Sequence, residues 1–498
     1  MYHNFLIYLG LIIVGIIFLY FHLTRNFNHW KNKSIQYVKP MLLFGNIFKV
    51  LTFQRSIGQF LWELYNNTKL PFIGFFVFDK PFLLIRDPEI IKSCLITDFE
   101  YFDDRSITEN RKDDEMASDS LLLLKNPLWK SHRVIVSQAF ATGKIKGMLP
   151  IVLEASNDLV DYMNNVAIKE EATETREVAM KFTTEVIASC VFGIKAHCFL
   201  HDKAAFREAS KRIFDWSLGR KISMASYFFA PILVKLFKLK FYEPNVARFL
   251  DEIIKTTVAE KEKSKLYRGD IIDALIQIRN QKRPDSDLLD EKMLAAQSIQ
   301  FFIAGFETTG STISFALYEL SLNPSVQNQL REEIQTVIKK HQNITYEAIQ
   351  EMNYLDMTIK ETLRKYPALP FLERRCTKLY KIPKTDAIIE KGVPIYISLL
   401  GLHFDSKYFP NPEKFDPKRF TVENKNTRPS SCYMPFGIGP RNCLGSQLST
   451  LIAKVGLIRI LAEFEVEVCK TTQIPLELDQ KTFMLSPIHG NNLHFKKI

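Results

Sequence analysis

Two stretches of this chain combine residue types that could do chemistry. Near the C-terminus, Phe436-Gly437-Ile438-Gly439-Pro440-Arg441-Asn442-Cys443-Leu444-Gly445 places one cysteine among glycines, with Arg441 two residues before it. Glycines let a backbone turn tightly and bring N–H groups close to a sulfur, and the thiolate is the form that binds metal. One physical reading is a cysteine that ligates haem iron, with Arg441 near a propionate. The plainer one is a glycine-rich turn around a buried structural cysteine. The loop alone leaves both open.

The second stretch is Ala304-Gly305-Phe306-Glu307-Thr308-Thr309, inside a helix expected over 291–322 and ended by Asn323-Pro324. Glycine and threonine there cost helix stability. Gly305 would let a flat ligand approach closely, and a threonine hydroxyl can open a notch that holds water. Glu307 can supply protons. A small-residue helix crossing is the competing reading.

Other pairs need positioning rather than reactivity. Trp129 and Arg133 lie at i and i+4 on one helix face, as a surface stack would. Glu361 and Arg364 lie at i and i+3 and can pair, a weak signal alone.

The elements that would hold these residues read as follows. Phe5 to Leu23 is almost wholly apolar and spans roughly 28 Å as a helix, enough for a bilayer core of about 30 Å. Arg25, Lys31 and Lys33 follow it, which by the positive-inside rule places the body in the cytosol. A cleaved signal peptide is disfavoured by the lack of a basic leader and of a small-residue cleavage site. The sequons at Asn66 and Asn343 should then stay unmodified. A linker follows to residue 39, with only Pro40 as a hinge. Phe72–Phe78 and Phe82–Ile85 read as a hairpin, and Asp87-Pro88 caps a short helix over Ile90–Leu95. Residues 102–124 form a long irregular loop, and 149–191 a helical run. Asp202 to Trp216 is a further helix. Tyr227 to Phe241 is apolar with interspersed lysines, either core or a segment in the membrane interface. Helices follow at 244–265, 271–278, 324–340, 354–364 and 448–463, the last beginning behind Cys443. Strands are expected near 380–382, 393–398, 466–468 and 493–495.

Bulk properties narrow the class. A net charge of +11 suits an anionic membrane surface or an acidic partner. No nucleic-acid motif accompanies it. Seven scattered cysteines without a CxxC pair are neither a disulfide framework nor a zinc site.

The motifs resemble those of the cytochrome P450 family. F-x-x-G-x-R-x-C-x-G matches its haem loop, A-G-x-E-T-T its oxygen-binding helix, W-x-x-x-R its propionate helix, and E-x-x-R with Pro417-Lys418-Arg419-Phe420 its buried ion-pair set. The resemblance covers the chain from about residue 40 and implies a mainly α fold with a smaller β-rich part around a buried haem b. The domains expected are an anchor at 1–24, a linker at 25–39 and a catalytic body at 40–498. Cys443 would be the axial ligand, Phe436 would pack by the haem, and Trp129, Arg133, Arg374 and Arg441 would reach propionates, with Arg375 the adjacent ambiguity. Gly305 would admit the haem, and Thr308 and Glu307 would order water and relay protons. Glu361, Arg364 and Arg419 would form the structural lock. Phe301, Phe302, Ala304, Leu369, Phe371 and Leu485 would line the substrate pocket beneath the 102–124 loop. Gln447 departs from the arginine or other long side chain often found there.

The implied activity is a monooxygenase acting on apolar molecules with O2. Electrons would come from an NADPH–cytochrome P450 reductase, with cytochrome b5 as a second donor, at the endoplasmic reticulum membrane. The connecting sequences, such as Tyr408 to Phe415, resemble the insect branch that oxidises plant toxins and insecticides. The alternative is an endogenous hormone or fatty-acid hydroxylase. An electron-independent haem-thiolate isomerase and a haem carrier are the other readings, and Glu307-Thr308 argues against both.

Overall fold

The computed structural model describes residues 2–201, 203–215, 217–281 and 288–498. The chain is mainly helical with a smaller β part, as expected. In order, the strands are β1 (Phe72–Val77), β2 (Lys80–Ile85), β3 (Thr173–Glu174), β4 (Phe371–Arg375), β5 (Tyr380–Lys381), β6 (Ile388–Ile389), β7 (Pro394–Ser398), β8 (Phe464–Val468) and β9 (Asn492–Lys497). The residues divide into two compact units.

The first unit takes the residues up to Ser106 together with Phe371–Leu402 and Ile438–Arg441. It begins with the Tyr2–Thr24 helix. From Asn4 onward this helix has a mean hydropathy of 2.5 and buries none of its length in protein, so its apolar surface needs a bilayer or another cover. β1 and β2 pair antiparallel as the expected hairpin, Phe72 opposite Ile85. Their sheet runs β1-β2-β7-β4. β4 has no apolar alternation, yet it inserts Glu373 and Arg374 into the interior. Asp87 accepts from the amides of Glu89 and Ile90 and starts the Pro88–Lys92 helix as its sequence dictates.

The segment expected as a linker, 25–39, lies docked on the first strands. Trp30 is fully buried and donates from Nε1 to the Phe75 carbonyl at 3.2 Å. Val38 N–H donates to Gly74 O at 2.9 Å, and Arg25 pairs with Asp79 at 3.0 Å. A buried indole and a backbone bond to a strand outweigh the absence of a proline hinge.

The second unit takes Ile107–Pro370, His403–Gly437 and Asn442–Ile498. The run expected over 149–191 is two helices, Thr142–Lys169 and Thr175–Phe192. Glu170, at φ 52°, breaks them in a left-handed cap. Asp202 and Trp216, the ends of another expected helix, lie outside the described residues; Ala205–Ile213 between them is helical. Leu218–Phe229 and Pro231–Leu236 are helices, the second exposing Ile232 and Leu236. The long helix runs Glu291–Leu322, capped by Asp290, whose carboxylate accepts from Met293 N–H. β3, β9 and β8 form a small sheet.

The ion-pair set holds this unit together. Glu361 and Arg364, at i and i+3 on the Asn353–Lys365 helix, meet through two hydrogen bonds of 2.8 and 2.9 Å, with both side chains fully buried. Arg419 Nε–H and the Asp416 amide also reach Glu361, at 3.3 and 2.9 Å. Arg364 spends its other N–H groups on the carbonyls of His403 and Pro412, at 2.9 and 2.7 Å. Truncating a buried partner strands the opposite charge. Arg364→Met should therefore cost about 3–5 kcal/mol in urea denaturation.

His403 Nδ1–H returns a bond to the Arg364 carbonyl, 3.1 Å away. Burial and the Arg364 charge push its pKa down to about 3. The folded state thus refuses a proton that the unfolded chain accepts near its ordinary value. Stability from this group is full above about pH 6.5 and is lost as pH falls toward 3, at up to about 1.4 kcal/mol per pH unit. His403→Gln should flatten that part of the denaturation profile.

Candidate functional site

The cysteine loop is built by its backbone. Gly439 has φ +76°, and a Cβ there would overlap the Leu95 carbonyl, so only glycine fits. The Cys443 amide donates to the Phe436 carbonyl at 2.8 Å and closes the loop, and the Phe436 ring is half-buried. Cys443 is the exposed cysteine of the seven; Cys94, Cys190, Cys198, Cys376 and Cys432 are buried and Cys469 is intermediate. The Ser446–Glu463 helix begins three residues later, so its positive end favours a thiolate there. Gln447 is exposed and accepts from the Thr142 hydroxyl at 3.3 Å, a surface contact.

On the Leu128–Ser137 helix, Trp129 is buried and Arg133 is half-buried on the same face. Arg133 Nη2 donates to Asn442 Oδ1 at 2.7 Å, which ties this helix to the residue preceding Cys443.

Within the first unit, Arg374 is 1 % exposed. Its Nη1 donates to the Glu373 carbonyl at 2.7 Å, while Nε has no acceptor among the described residues. Burial and the neighbouring Arg105 push its pKa down to about 9. Arg375 is more open and is paired with Asp104 at 3.1 Å. Arg441 is buried beside Asp104 at 3.6 Å. A buried guanidinium with an unfilled donor suits a carboxylate partner such as a haem propionate, and an open thiol in a glycine loop suits iron. The residues present fit haem.

The long helix has two faces. Ala304 is exposed and the Thr308 hydroxyl is accessible, one turn apart in the middle of a mostly buried helix. Thr308 Oγ1 donates to the Ala304 carbonyl at 2.8 Å, the notch expected of a threonine there. Glu307 lies about 100° round the helix from Thr308. Its carboxylate is bound by Arg176 Nη2, and burial raises its pKa above the usual range for a carboxylate. Arg176 escaped the sequence reading; its only signal was a lone cation beside the capping residue Glu174.

Two residues of this helix expected at the site pack against protein. A Cβ on Gly305 would meet Ile187 Cδ1 at 2.7 Å, so on that side this half-buried glycine serves a close crossing with the Thr175–Phe192 helix. Phe302 lies on the back face, fully buried against Phe192, Phe206 and Phe306 with ring centroids 5.4–5.6 Å apart. It lines no open space. Of the other pocket residues, Phe301 is half-buried against Phe140 and Leu369 is exposed. Leu485 is buried, with its amide on the Ala368 carbonyl at 3.2 Å. Phe371 is buried, stacked on Tyr396.

Known proteins match this chain along nearly its whole length. The family model described as Cytochrome P450 covers residues 36–494. The chain is similar to Cytochrome P450 6k1 of Blattella germanica, 40 % identical over 96 % of this chain and 94 % of that protein. It is also similar to Cytochrome P450 6j1 of the same organism, at 38 % over 96 % and 95 %, and to Cytochrome P450 6d3 of Musca domestica, at 35 % over 99 % of each.

The helix crossing makes a direct test. Gly305→Ala should lose about 1–3 kcal/mol of stability by overpacking, and Ile187→Ala in the same chain should recover part of it, with haem content per folded chain unchanged throughout. Haem loss at unaltered stability would return Gly305 to the ligand.

Proposed function

Since the chain belongs to the cytochrome P450 family, we propose that it oxidises apolar foreign molecules of the plant-toxin or insecticide kind. As a member, it is a monooxygenase of the oxidoreductase class that binds haem b through a cysteine thiolate. Bound there, the haem supplies activation of O2, with the thiolate favouring O–O cleavage. The family relies on a redox partner and on apolar substrates in general.

The chain's own residues are assigned as follows. Cys443 would hold the haem iron through its thiolate, with Phe436 beside the haem. Trp129 would reach a propionate with its neutral indole N–H, and the guanidinium groups of Arg133, Arg374 and Arg441 would neutralise the propionates. Thr308 holds a water at its accessible hydroxyl and passes a proton from it. Glu307 resupplies that proton, a task suited by its raised pKa. Phe301, Ala304 and Leu369 present apolar surface to substrate.

One observation carries the reading for an apolar substrate: the open surface at Ala304 and Thr308 in a mostly buried helix. Electrons come from an NADPH-dependent flavoprotein reductase, with cytochrome b5 as a second donor. The anchor helix and the basic residues after it set the body on the cytosolic face of the endoplasmic reticulum membrane. The exposed Ile232, Leu236 and Phe237, interleaved with Lys235 and Lys238, suit a second contact in the interface.

The test is turnover of a panel of apolar compounds with reductase, NADPH and 18O2. The expected products carry one 18O atom, and Thr308→Ala should keep NADPH consumption while product per NADPH falls several-fold and hydrogen peroxide rises. Isomerisation or dehydration of a hydroperoxide without reductase, together with no NADPH-dependent 18O incorporation into any apolar compound, would contradict the monooxygenase route. Selective turnover of a steroid or fatty acid would favour the endogenous hydroxylase instead.

A further inference from the structure

Two glutamines stand one turn apart on the long helix, just before Ala304, and their amides are used differently. Gln297 is fully buried. Its Oε1 accepts from the Leu121 amide at 3.1 Å, and its Nε2 donates to the Asp119 carbonyl at 2.7 Å and toward Met293 Sδ. Both ends of that amide hold the 107–124 loop. Gln300 is only half-buried. Its Oε1 accepts from the Leu122 amide at 3.1 Å. That bond fixes which end of the amide is oxygen, because a backbone N–H must meet an acceptor. The Nε2 end therefore points the other way, and it makes no hydrogen bond among the described residues.

Position on the helix says where that donor sits. Residues 300, 304 and 308 follow at four-residue steps, so they lie within about 80° of one another on one face. This is the face on which Ala304 is exposed and the Thr308 hydroxyl is accessible. The rise from Gln300 to Thr308 is about 12 Å. An oriented amide donor without a partner among the described residues, two turns from the Thr308 hydroxyl on this face, is the kind of polar group by which apolar pockets fix ligand orientation.

We propose that Gln300 is a specificity-determining residue: its Nε2 donates to an acceptor oxygen (ketone, ester or ether) on an apolar substrate and places a carbon roughly 12 Å from that oxygen at the site of oxidation. The preferred substrate class is thus an apolar molecule with a hydrogen-bond acceptor at the end remote from the oxidised carbon. The inference rests on the proposed apolar-substrate reading. Gln300 differs from Gln297 in that its spare donor, rather than its hold on the loop, sets selectivity.

The test uses 2-undecanone and undecane as matched probes, with binding to the haem-loaded full chain read from the spectral shift of the haem. Three chains are compared: wild type, Gln300→Glu and Gln300→Leu. Glutamate keeps an oxygen for the Leu122 amide and removes the donor, whereas leucine removes both. Hydrogen exchange at Leu122 reports the loop independently of ligand. In the wild type the ketone should bind about three- to tenfold more tightly than the alkane, as one neutral hydrogen bond allows. Oxidation should fall toward the chain end far from the carbonyl. Gln300→Glu should bind undecane as before, abolish the preference for the ketone and scatter the oxidised position, with Leu122 still protected. Gln300→Leu should abolish the preference and deprotect Leu122. Equal binding of the two probes by the wild type, or a preference that survives Gln300→Glu, overturns the assignment. Failure of the wild type to bind either probe overturns the apolar-substrate reading and, with it, the role given to Gln300.

Discussion

Space at the crossing of two helices governs the second unit. Ile187 already fills the volume that any side chain at residue 305 would need, and the Thr183 hydroxyl donates to the Phe306 carbonyl at 2.8 Å alongside. The back of the Glu291–Leu322 helix is thereby committed to protein, with Phe302 and Phe306 in its aromatic contacts and Thr309 bonded to the Ser449 hydroxyl at 2.9 Å. Burying one face this tightly leaves the opposite face free to stay open at Ala304 and Thr308. The helix can carry poor helix formers there because tertiary packing, rather than propensity, holds it.

Buried charge follows a second rule, that each such group must have its bonds filled nearby. Glu361 meets it with two arginines and a backbone amide. Glu373 meets it within the first unit: Ser106 donates to it from N–H and hydroxyl at 2.5 and 2.6 Å, and Arg105 at 3.2 Å. Burial alone would raise the Glu373 pKa, but these donors hold it below the ordinary carboxylate value. Arg374 is the contrast, a buried cation with an unfilled donor. The same chain thus separates carboxylates that lock the fold from a guanidinium that fits an anionic ligand.

Much of this was legible in the sequence where local chemistry decides. Asp87-Pro88, Asn323-Pro324 and the hairpin strands formed as their residues dictate; the i, i+3 spacing of Glu361 and Arg364 only allowed a pair, and the resemblance of the motifs to the family's supplied Arg419 and the lock. What the sequence hid depends on tertiary contact. Gly305 reads the same whether a ligand or Ile187 lies against it. Phe302 and Phe301 are adjacent apolar residues, and only the helix's orientation says which one is core. The docked segment around Trp30 looked like a linker because one buried indole leaves no periodicity. Arg176 and the two glutamines act across 100 residues or more of chain, a distance at which spacing carries no information.

The central claim is that Cys443, as thiolate, is the ligand of the haem. Reducing the purified chain under carbon monoxide and recording its Soret band tests that claim most directly. A strongly red-shifted band that disappears in Cys443→Ser, while Cys469→Ser keeps it, is the predicted result. A band without the red shift in the wild type, or one that persists unchanged in Cys443→Ser, would contradict the assignment.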